Sequence, residues 1–262
     1  MNKLFIIKIG GNVLDDPAGF DLFLKDFAAI KEPKILIHGG GKIATSIGNQ
    51  LGIESNYIRG RRITDGPTLD LVTMVYAGLV NKQIVAKLQA LGCNGLGVTG
   101  ADGNMIRATK RPVKDIDYGF VGDIRPEGVN TALLYFLLKQ NTIPVFASLT
   151  HADGKMLNTN ADTIASVLAV ALSKHFDVRL VFCFEKKGVL LDVNRPDSVI
   201  HHLPKKMFDE LLPKQVFADG ILPKLENAYA ALSAGVKEVL IGEATDLTRN
   251  TGKETAGTLI TL

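Results

Sequence analysis

Lys8 stands two residues before the pair Gly10-Gly11, and His38 opens a second run, Gly39-Gly40-Gly41. Each glycine block closes an apolar segment, Leu4 to Ile9 and Ile35 to Ile37, and each is followed by a helical pattern. A strand that runs into glycines offers bare backbone N–H groups, and the following helix adds the positive end of its dipole, so the combination suits phosphate or carboxylate. Two such turns, with a lysine beside the first, point to two anionic groups held side by side. That is the geometry of a phosphoryl transfer.

Three further segments carry polar chemistry. In Gly60-Arg61-Arg62-Ile63-Thr64, one arginine reads as solvated and the other as a bidentate fork for a carboxylate, a task that guanidinium geometry fits better than ammonium. Leu157-Asn158-Thr159-Asn160-Ala161-Asp162 runs from a short strand into a helix start. Asn160 or Asp162 can serve there as an N-cap, but two asparagines and an aspartate exceed what a cap requires and can fix a ligand and a neighbouring lysine. Asp219-Gly220, followed by Lys224 at a helix entry, repeats the pairing of glycine with lysine.

Two apparent motifs fail on context. Gly95-Leu96-Gly97-Val98-Thr99-Gly100 has the GxGxxG spacing of a dinucleotide site, but it follows a helix end and leads into a turn and another strand, whereas that fingerprint must open a helix. Gly39-Gly40-Gly41-Lys42 is followed by Ile43 where a P-loop needs Ser or Thr, and its outer glycine spacing is wrong.

The elements that position these residues alternate. Strands are expected at Leu4–Ile9, Lys34–His38, Leu96–Thr99, Ile143–Ala147, Val178–Phe184 and Val236–Ile241, with a last one at Thr258–Leu262. They are mostly continuous Val, Ile, Leu and Phe, as in parallel strands covered on both faces. Phe20, Phe23, Phe27 and Ile30 mark a helix ended by Pro33, and Ile43, Ile47 and Leu51 another ended by Gly52. The longest helix starts at Pro67, buries Leu69, Val72, Tyr76, Leu79 and Leu88, and stops at Gly92. Further helices fit Thr131–Gln140, Asp162–Lys174 and Lys224–Ala234, and Asn104–Arg125 reads as a protruding β-hairpin. The pattern is α/β: an open, mainly parallel sheet between helices, in two lobes meeting near residue 176, namely 1–175 and 176–262.

Composition narrows the partners. The 262 residues are 46% hydrophobic and 22% charged, ordinary values for a globular chain. The net charge of +3 comes from interleaved charges without a basic stripe or tail, which favours a small anionic ligand over nucleic acid. No apolar run has membrane-spanning length, the strand pattern from Lys3 leaves no room for a secretory leader, and a cytoplasmic location is the expectation. Cys93 and Cys183 lack metal or CxxC spacing and read as reduced core thiols.

Taken in order, these segments resemble the amino-acid kinase family, over nearly the whole chain. The resemblance is carried by Lys8 to Gly11, His38 to Gly41, Gly60 to Thr64, Gly97-Val-Thr-Gly-Ala-Asp102, Gly119-Phe-Val-Gly122, Asn158 to Asp162, Asp219-Gly-Ile-Leu-Pro-Lys224 and Gly257-Thr258. It implies an N-terminal lobe for an N-acyl-L-glutamate, a C-terminal lobe for ATP, and transfer of the γ-phosphoryl of MgATP to the side-chain carboxylate. Magnesium is then bound mainly through phosphates and water, with no dedicated protein metal site. Carried over by motif, Lys8 and Lys224 stabilise the transferring phosphoryl, Asp162 holds the lysines, and Gly10, Gly11 and Gly40 supply N–H groups. Gly40, Gly41, Arg62 and Asn158 contact the acyl-glutamate, while Gly10, Glu185, Lys186, Gly188, Phe217 and Gly220 lie along the nucleotide. A carboxylate with an ordinary pKa near ~4.3 is already ionised and needs no general base, in keeping with the lack of a persuasive Ser/His or Cys/His pair.

Two departures stand out. Phe184-Glu185-Lys186-Lys187-Gly188 replaces the family's Thr/Ser-Asp-Val-x-Gly turn, and Arg61 stands where the family usually has an apolar residue. The second leaves acetyl and succinyl open as the acyl group. A homodimer insensitive to arginine is expected, because arginine-inhibited members carry an extra N-terminal helix before the first strand.

Overall fold

The computed structural model describes residues 1–192, 194–214, 216–217 and 221–262, without the side chains of Asn12 and Pro223. Asp219 and Gly220 of the expected second glycine-lysine turn lie outside the described residues. The chain divides into two compact units, Met1–Ile35 with Leu168–Leu262, and Leu36–Val167. This differs from a single boundary near residue 176. The first strand, Lys3–Ile9, pairs in parallel with Asp177–Phe184 along its whole length, from Lys3 opposite Asp177 to Ile9 opposite Cys183, which draws the N-terminal segment into the same unit as the C-terminal one.

In the first unit the strands run in the order His202–Pro204, Thr258–Thr261, Glu238–Glu243, Asp177–Phe184 and Lys3–Ile9. All neighbours are parallel except Thr258–Thr261 against Glu238–Glu243. Leu4 to Ile7 and Ile9 are fully buried, as continuous apolar strands covered on two faces must be. The helix Pro17–Ala29 buries Phe20, Phe23, Leu24 and Phe27 at helical spacing. Its end is fixed by Lys34, which is 3% exposed and donates from Nζ to the carbonyls of Ala28 at 3.1 Å and Ile30 at 2.7 Å.

In the second unit Ile143–Ala147 pairs in parallel with the last residues of Lys34–His38 and with Gly95–Val98. A four-stranded sheet follows the order Lys155–Asn158, Leu149–Ala152, Ile106–Lys110 and Gly122–Val129. The expected protruding hairpin is therefore part of a larger sheet. Its two strands pair antiparallel, as Ala108 with Ile124 and Lys110 with Gly122, and Ile106–Lys110 also meets Leu149–Ala152. Leu149–Ala152 and Lys155–Asn158 are joined by Asp153 and Gly154, at φ 50° and 75°, the Asp-Gly pair that a tight hairpin favours.

The long helix begins at Gly66, capped by Asp65, whose carboxylate accepts from the Thr68 N–H at 2.9 Å. It turns π-helical over Thr73–Val80 and is α-helical again over Asn81–Ala90. The wider turn inserts a residue, so the buried positions step from Val75 and Tyr76 to Val80 and Asn81, then to Ile84 and Leu88. This slip leaves Leu79, expected on the buried side, 41% exposed. Among the described residues no helix is long and apolar enough to cross a membrane.

Candidate active site

The second glycine block is built as its sequence demands. Lys34–His38 ends at Gly39, and Gly41–Gln50 begins the helix with Gly40 as its cap. A Cβ on Gly40 would stand 2.9 Å from the Tyr76 ring, so the turn tolerates only glycine while that ring is in place. The first N–H groups of a helix have no partner within it, and here no side chain caps them.

Beneath the turn lies a buried polar chain. Nδ1 of His38 is 2.7 Å from the Gly39 carbonyl and Nε2 is 3.0 Å from the Asn81 amide nitrogen. That nitrogen also donates to the Val145 carbonyl at 2.9 Å, while the Asn81 Oδ1 accepts from Lys82 Nζ at 3.0 Å, which settles the orientation of the amide. Nε2 must then accept and Nδ1 must carry the hydrogen that the Gly39 carbonyl receives. Complete burial pushes the imidazole from its ordinary 6.5 down to about 4, so it is held neutral. Gly97 belongs to this network, since a Cβ there would lie 2.0 Å from Asn81 Oδ1. Its glycine is explained by packing, in agreement with the dismissal of the dinucleotide motif.

Three sequence motifs come together beside the turn. The Thr64 N–H donates to the Tyr118 carbonyl at 2.9 Å, Phe120 N–H to the Thr64 carbonyl at 2.7 Å, and Asn158 N–H to the Phe120 carbonyl at 2.9 Å. Gly119, at φ 74°, permits this approach, since a Cβ would lie 2.1 Å from the Thr64 carbonyl oxygen. Asn158 is aimed by its own amide, which donates to Thr64 Oγ1 at 3.0 Å. Thr159 and Thr150, both buried, share a hydroxyl bond of 2.7 Å behind it.

The arginine pair sits on a hairpin, Tyr57–Ile58 against Arg61–Arg62, turned by Arg59 and Gly60 at φ 49° and 72°. Alternation separates the two arginines: Arg62 is buried and Arg61 exposed. Arg62 donates from Nη2 to the Gly41 carbonyl at 2.8 Å and to Thr45 Oγ1 at 2.9 Å, donates from Nη1 to Ser55, and stacks 4.7 Å from the Tyr57 ring centre. The guanidinium is thereby anchored, with Nε–H and one Nη1 hydrogen beyond these bonds.

A cavity of about 230 Å³ opens between these elements, lined by Gly40, Gly41, Arg61, Arg62, Tyr76 and Asn158, among others. Asn160 lines it too and is also the cap of the helix Ala161–Leu172, accepting from the Thr163 N–H at 3.0 Å. Asp162 is the second residue of that helix, where a carboxylate meets the positive helix end. The sequence reasoning missed Tyr57, Arg111 and Ser148 in this wall. Arg111 stacks over Tyr118 and donates twice to one Asp123 oxygen, at 3.0 and 2.6 Å. The register of the two strands set that pairing, and no local motif announces it.

The remaining candidates belong to the first unit. Lys8 is half-buried at the end of its strand, and its charge is felt by Cys183, whose thiol is nonetheless pushed up to about 12 by burial. Gly10 does not offer its N–H to a phosphate, because that group donates to the Cys183 carbonyl at 3.2 Å. Gly11 opens the short helix Gly11–Leu14 with open space where a Cβ would stand. Glu185 and Lys186 are exposed. Glu185 joins Asp16 and Glu243 around a cavity of about 180 Å³, whose three carboxylates suit hydroxyl or amine donors and repel phosphate. Gly188 is a packing glycine, with the Thr258 hydroxyl 2.6 Å from where its Cβ would be. Phe217 lies 5.3 Å from Phe208 in a cluster with Tyr229, a core position and not an open face for a base. Lys224 is the third residue of the helix Leu222–Ser233, half-buried.

With this geometry in view, residues 3–243 match the amino acid kinase family. A Parabacteroides distasonis protein named acetylglutamate kinase is 54% identical over 253 residues, covering 96% of this chain and 98% of that one. A Bacteroides thetaiotaomicron protein of the same name is 55% identical over 251 residues, covering 95% and 97%. Among solved structures, the smu.665 protein of Streptococcus mutans superposes with a TM-score of 0.74 at 29% identity, over 98% of both chains.

Proposed function

Because the chain belongs to the amino acid kinase family, we propose that it is an acetylglutamate kinase of arginine biosynthesis, moving the γ-phosphoryl group of ATP to the side-chain carboxylate of N-acetyl-L-glutamate. The observation that carries this reading is the convergence of Gly40, Gly41, Arg62 and Asn158 on one cavity, in a chain more than half identical to relatives of that name along nearly all its length.

In this reading the second unit holds the acyl-glutamate and the first unit holds ATP. Arg62, already oriented by Gly41 and Thr45, directs its remaining hydrogens at the α-carboxylate, and Asn158 fixes the acyl amide. The reacting carboxylate attacks phosphorus as the bond to the ADP oxygen breaks, and ADP leaves with that electron pair. Lys8 and Lys224 meet the charge spread over the equatorial oxygens, and the Gly11 N–H adds a donor. Magnesium ion, bound through the phosphates and water, neutralises charge on the nucleotide when present. The chemistry of the donor set fits such a polyanion: two half-buried lysines at element ends and a glycine N–H at a helix start.

A homodimer is part of the proposal. Met74 and Phe136 are 57% and 59% exposed, and Leu96 lies on the edge strand Gly95–Val98, apolar surface that a second copy would cover. Light scattering is expected to return about twice 28.2 kDa, and a monomer at micromolar concentration refutes it.

One observation favours a second reading, N-succinyl-L-glutamate. Arg61 lines the same cavity as Arg62 and has no carboxylate partner among the described residues, so a terminal acyl carboxylate would meet a ready cation. ADP release measured on both acyl-glutamates tests the two readings together. If succinyl is the substrate, Arg61→Leu lowers kcat/KM for it by a charge-assisted contact of roughly 1.5–3 kcal/mol and spares the acetyl compound. A parent that favours acetyl, with preference unmoved by the mutation, removes Arg61 from recognition; no ADP release with either compound overturns the kinase reading.

A further inference from the structure

Tyr76 has no counterpart among the residues that the sequence motifs pointed to, yet it lines the cavity. Its ring edge lies 2.9 Å from the position a Gly40 Cβ would take, and its hydroxyl lies 3.9 Å from the corresponding position at Gly41. Arg62 Nη2 lies 4.0 Å from that second point. The phenol hydroxyl thus shares one small space with the Arg62 cation, beside a glycine whose N–H, at the start of a ten-residue helix, is a further donor.

The direction of the tyrosine hydrogen follows from its neighbour. Arginine has no acceptor, so the phenol cannot donate to the Arg62 guanidinium beside it and must send its own hydrogen elsewhere. Burial holds the phenol in its protonated form, raised above its ordinary value despite the adjacent cation. Such a group is a neutral hydrogen-bond donor next to a positive one, a pair suited to a carboxylate.

The helix irregularity explains how the tyrosine gets there. At about 100° per residue, an ideal α-helix would rotate Asn81 by roughly 140° from Tyr76. The π-helical stretch Thr73–Val80 removes most of that offset, so Tyr76 reaches the glycine turn directly while Asn81 supports it through His38. π-Helical turns are frequent where a helix must serve a site in this way.

We propose that Tyr76 is a further substrate-binding residue, whose hydroxyl donates to the α-carboxylate of the acyl-glutamate alongside Arg62 and the Gly41 N–H. The inference rests on the assignment of this cavity to the acyl-glutamate. Tyr76→Phe removes one oxygen and keeps the ring against Gly40. It is expected to raise KM for the acyl-glutamate about tenfold, the scale of a hydrogen bond to a charged group, with KM for ATP and kcat within about twofold of the parent. A residue that only packed the helix would leave the acyl-glutamate KM unmoved, or would shift both substrates together, and either result overturns the proposal whether or not the melting temperature falls. A parent that releases no ADP with any acyl-glutamate brings down the cavity assignment and this inference with it; an active parent with an insensitive Tyr76→Phe brings down the tyrosine alone.

Discussion

Lys8→Ala and Lys224→Ala are each expected to lower kcat by on the order of 10²-fold or more while leaving the fold intact, as losses of donors to a transition state do. In the transferring phosphoryl group, charge moves onto oxygens that in water would be met by solvent and counterions. A lysine held in place meets that charge without reorganising, so its removal acts on the barrier more than on binding. The positions tolerate the change. Lys8 is half-buried at the end of a strand whose apolar neighbours carry the packing, and Lys224 lies in the first turn of a helix that extends to Ser233. Steady-state kinetics with circular dichroism decide the matter. A folded variant with near-parental kcat takes that lysine out of the mechanism.

The second large effect is on stability and comes from His38. Its imidazole is fully buried with a value near 4 against the ordinary 6.5, so between those limits the unfolded chain binds a proton that the folded chain refuses. Stability from this residue is complete above about pH 6.5 and is lost as pH falls through about 4. The total is roughly 3 kcal/mol, a large part of a typical domain's stability. Urea midpoints should fall between pH 7 and pH 4.5, and the His38 ring signals in NMR should remain those of the neutral form down to about pH 5. An imidazole that titrates near 6.5 in the folded protein would contradict the burial argument. Because the same ring holds the Gly39 carbonyl, acid should also loosen the glycine turn before the rest of the second unit unfolds.

Much of the architecture was legible locally. Leu4 to Ile9 and Val178 to Phe184 are apolar runs broken only by Lys8 and Arg179, and such runs have few stable fates besides a strand covered on both sides. Phe20, Phe23 and Phe27 recur at helical spacing and are buried as that spacing requires. Gly40 and Gly119 stood out in the sequence only as members of motifs, and the close approaches that require glycine there, from Tyr76 and Thr64, came with the tertiary structure. Asp153-Gly154 is a local hairpin signal, and the two strands it joins pair as that signal requires. The asymmetry of Arg61 and Arg62 followed from alternation alone, but Arg61 still reaches the cavity wall because the hairpin is only two residues long on each side.

What the tertiary structure decided depends on register and strand order, which adjacent residues do not encode. Pairing of Lys3–Ile9 with Asp177–Phe184 assigns the first residues to the unit of the last, across more than half the chain. The same pairing sets the Gly10 N–H against the Cys183 carbonyl, so a glycine expected to bind phosphate is satisfied within the protein. Phe217 meets Phe208 and Tyr229 and becomes core. Arg111 and Tyr76 enter the cavity from a strand connection and a π-helical turn, through an inserted residue in one case and a strand offset in the other. Composition and periodicity reflect which face of an element is buried; which side chains share a cavity is set by how distant elements are placed against one another, and here that placement selected the groups able to read a carboxylate.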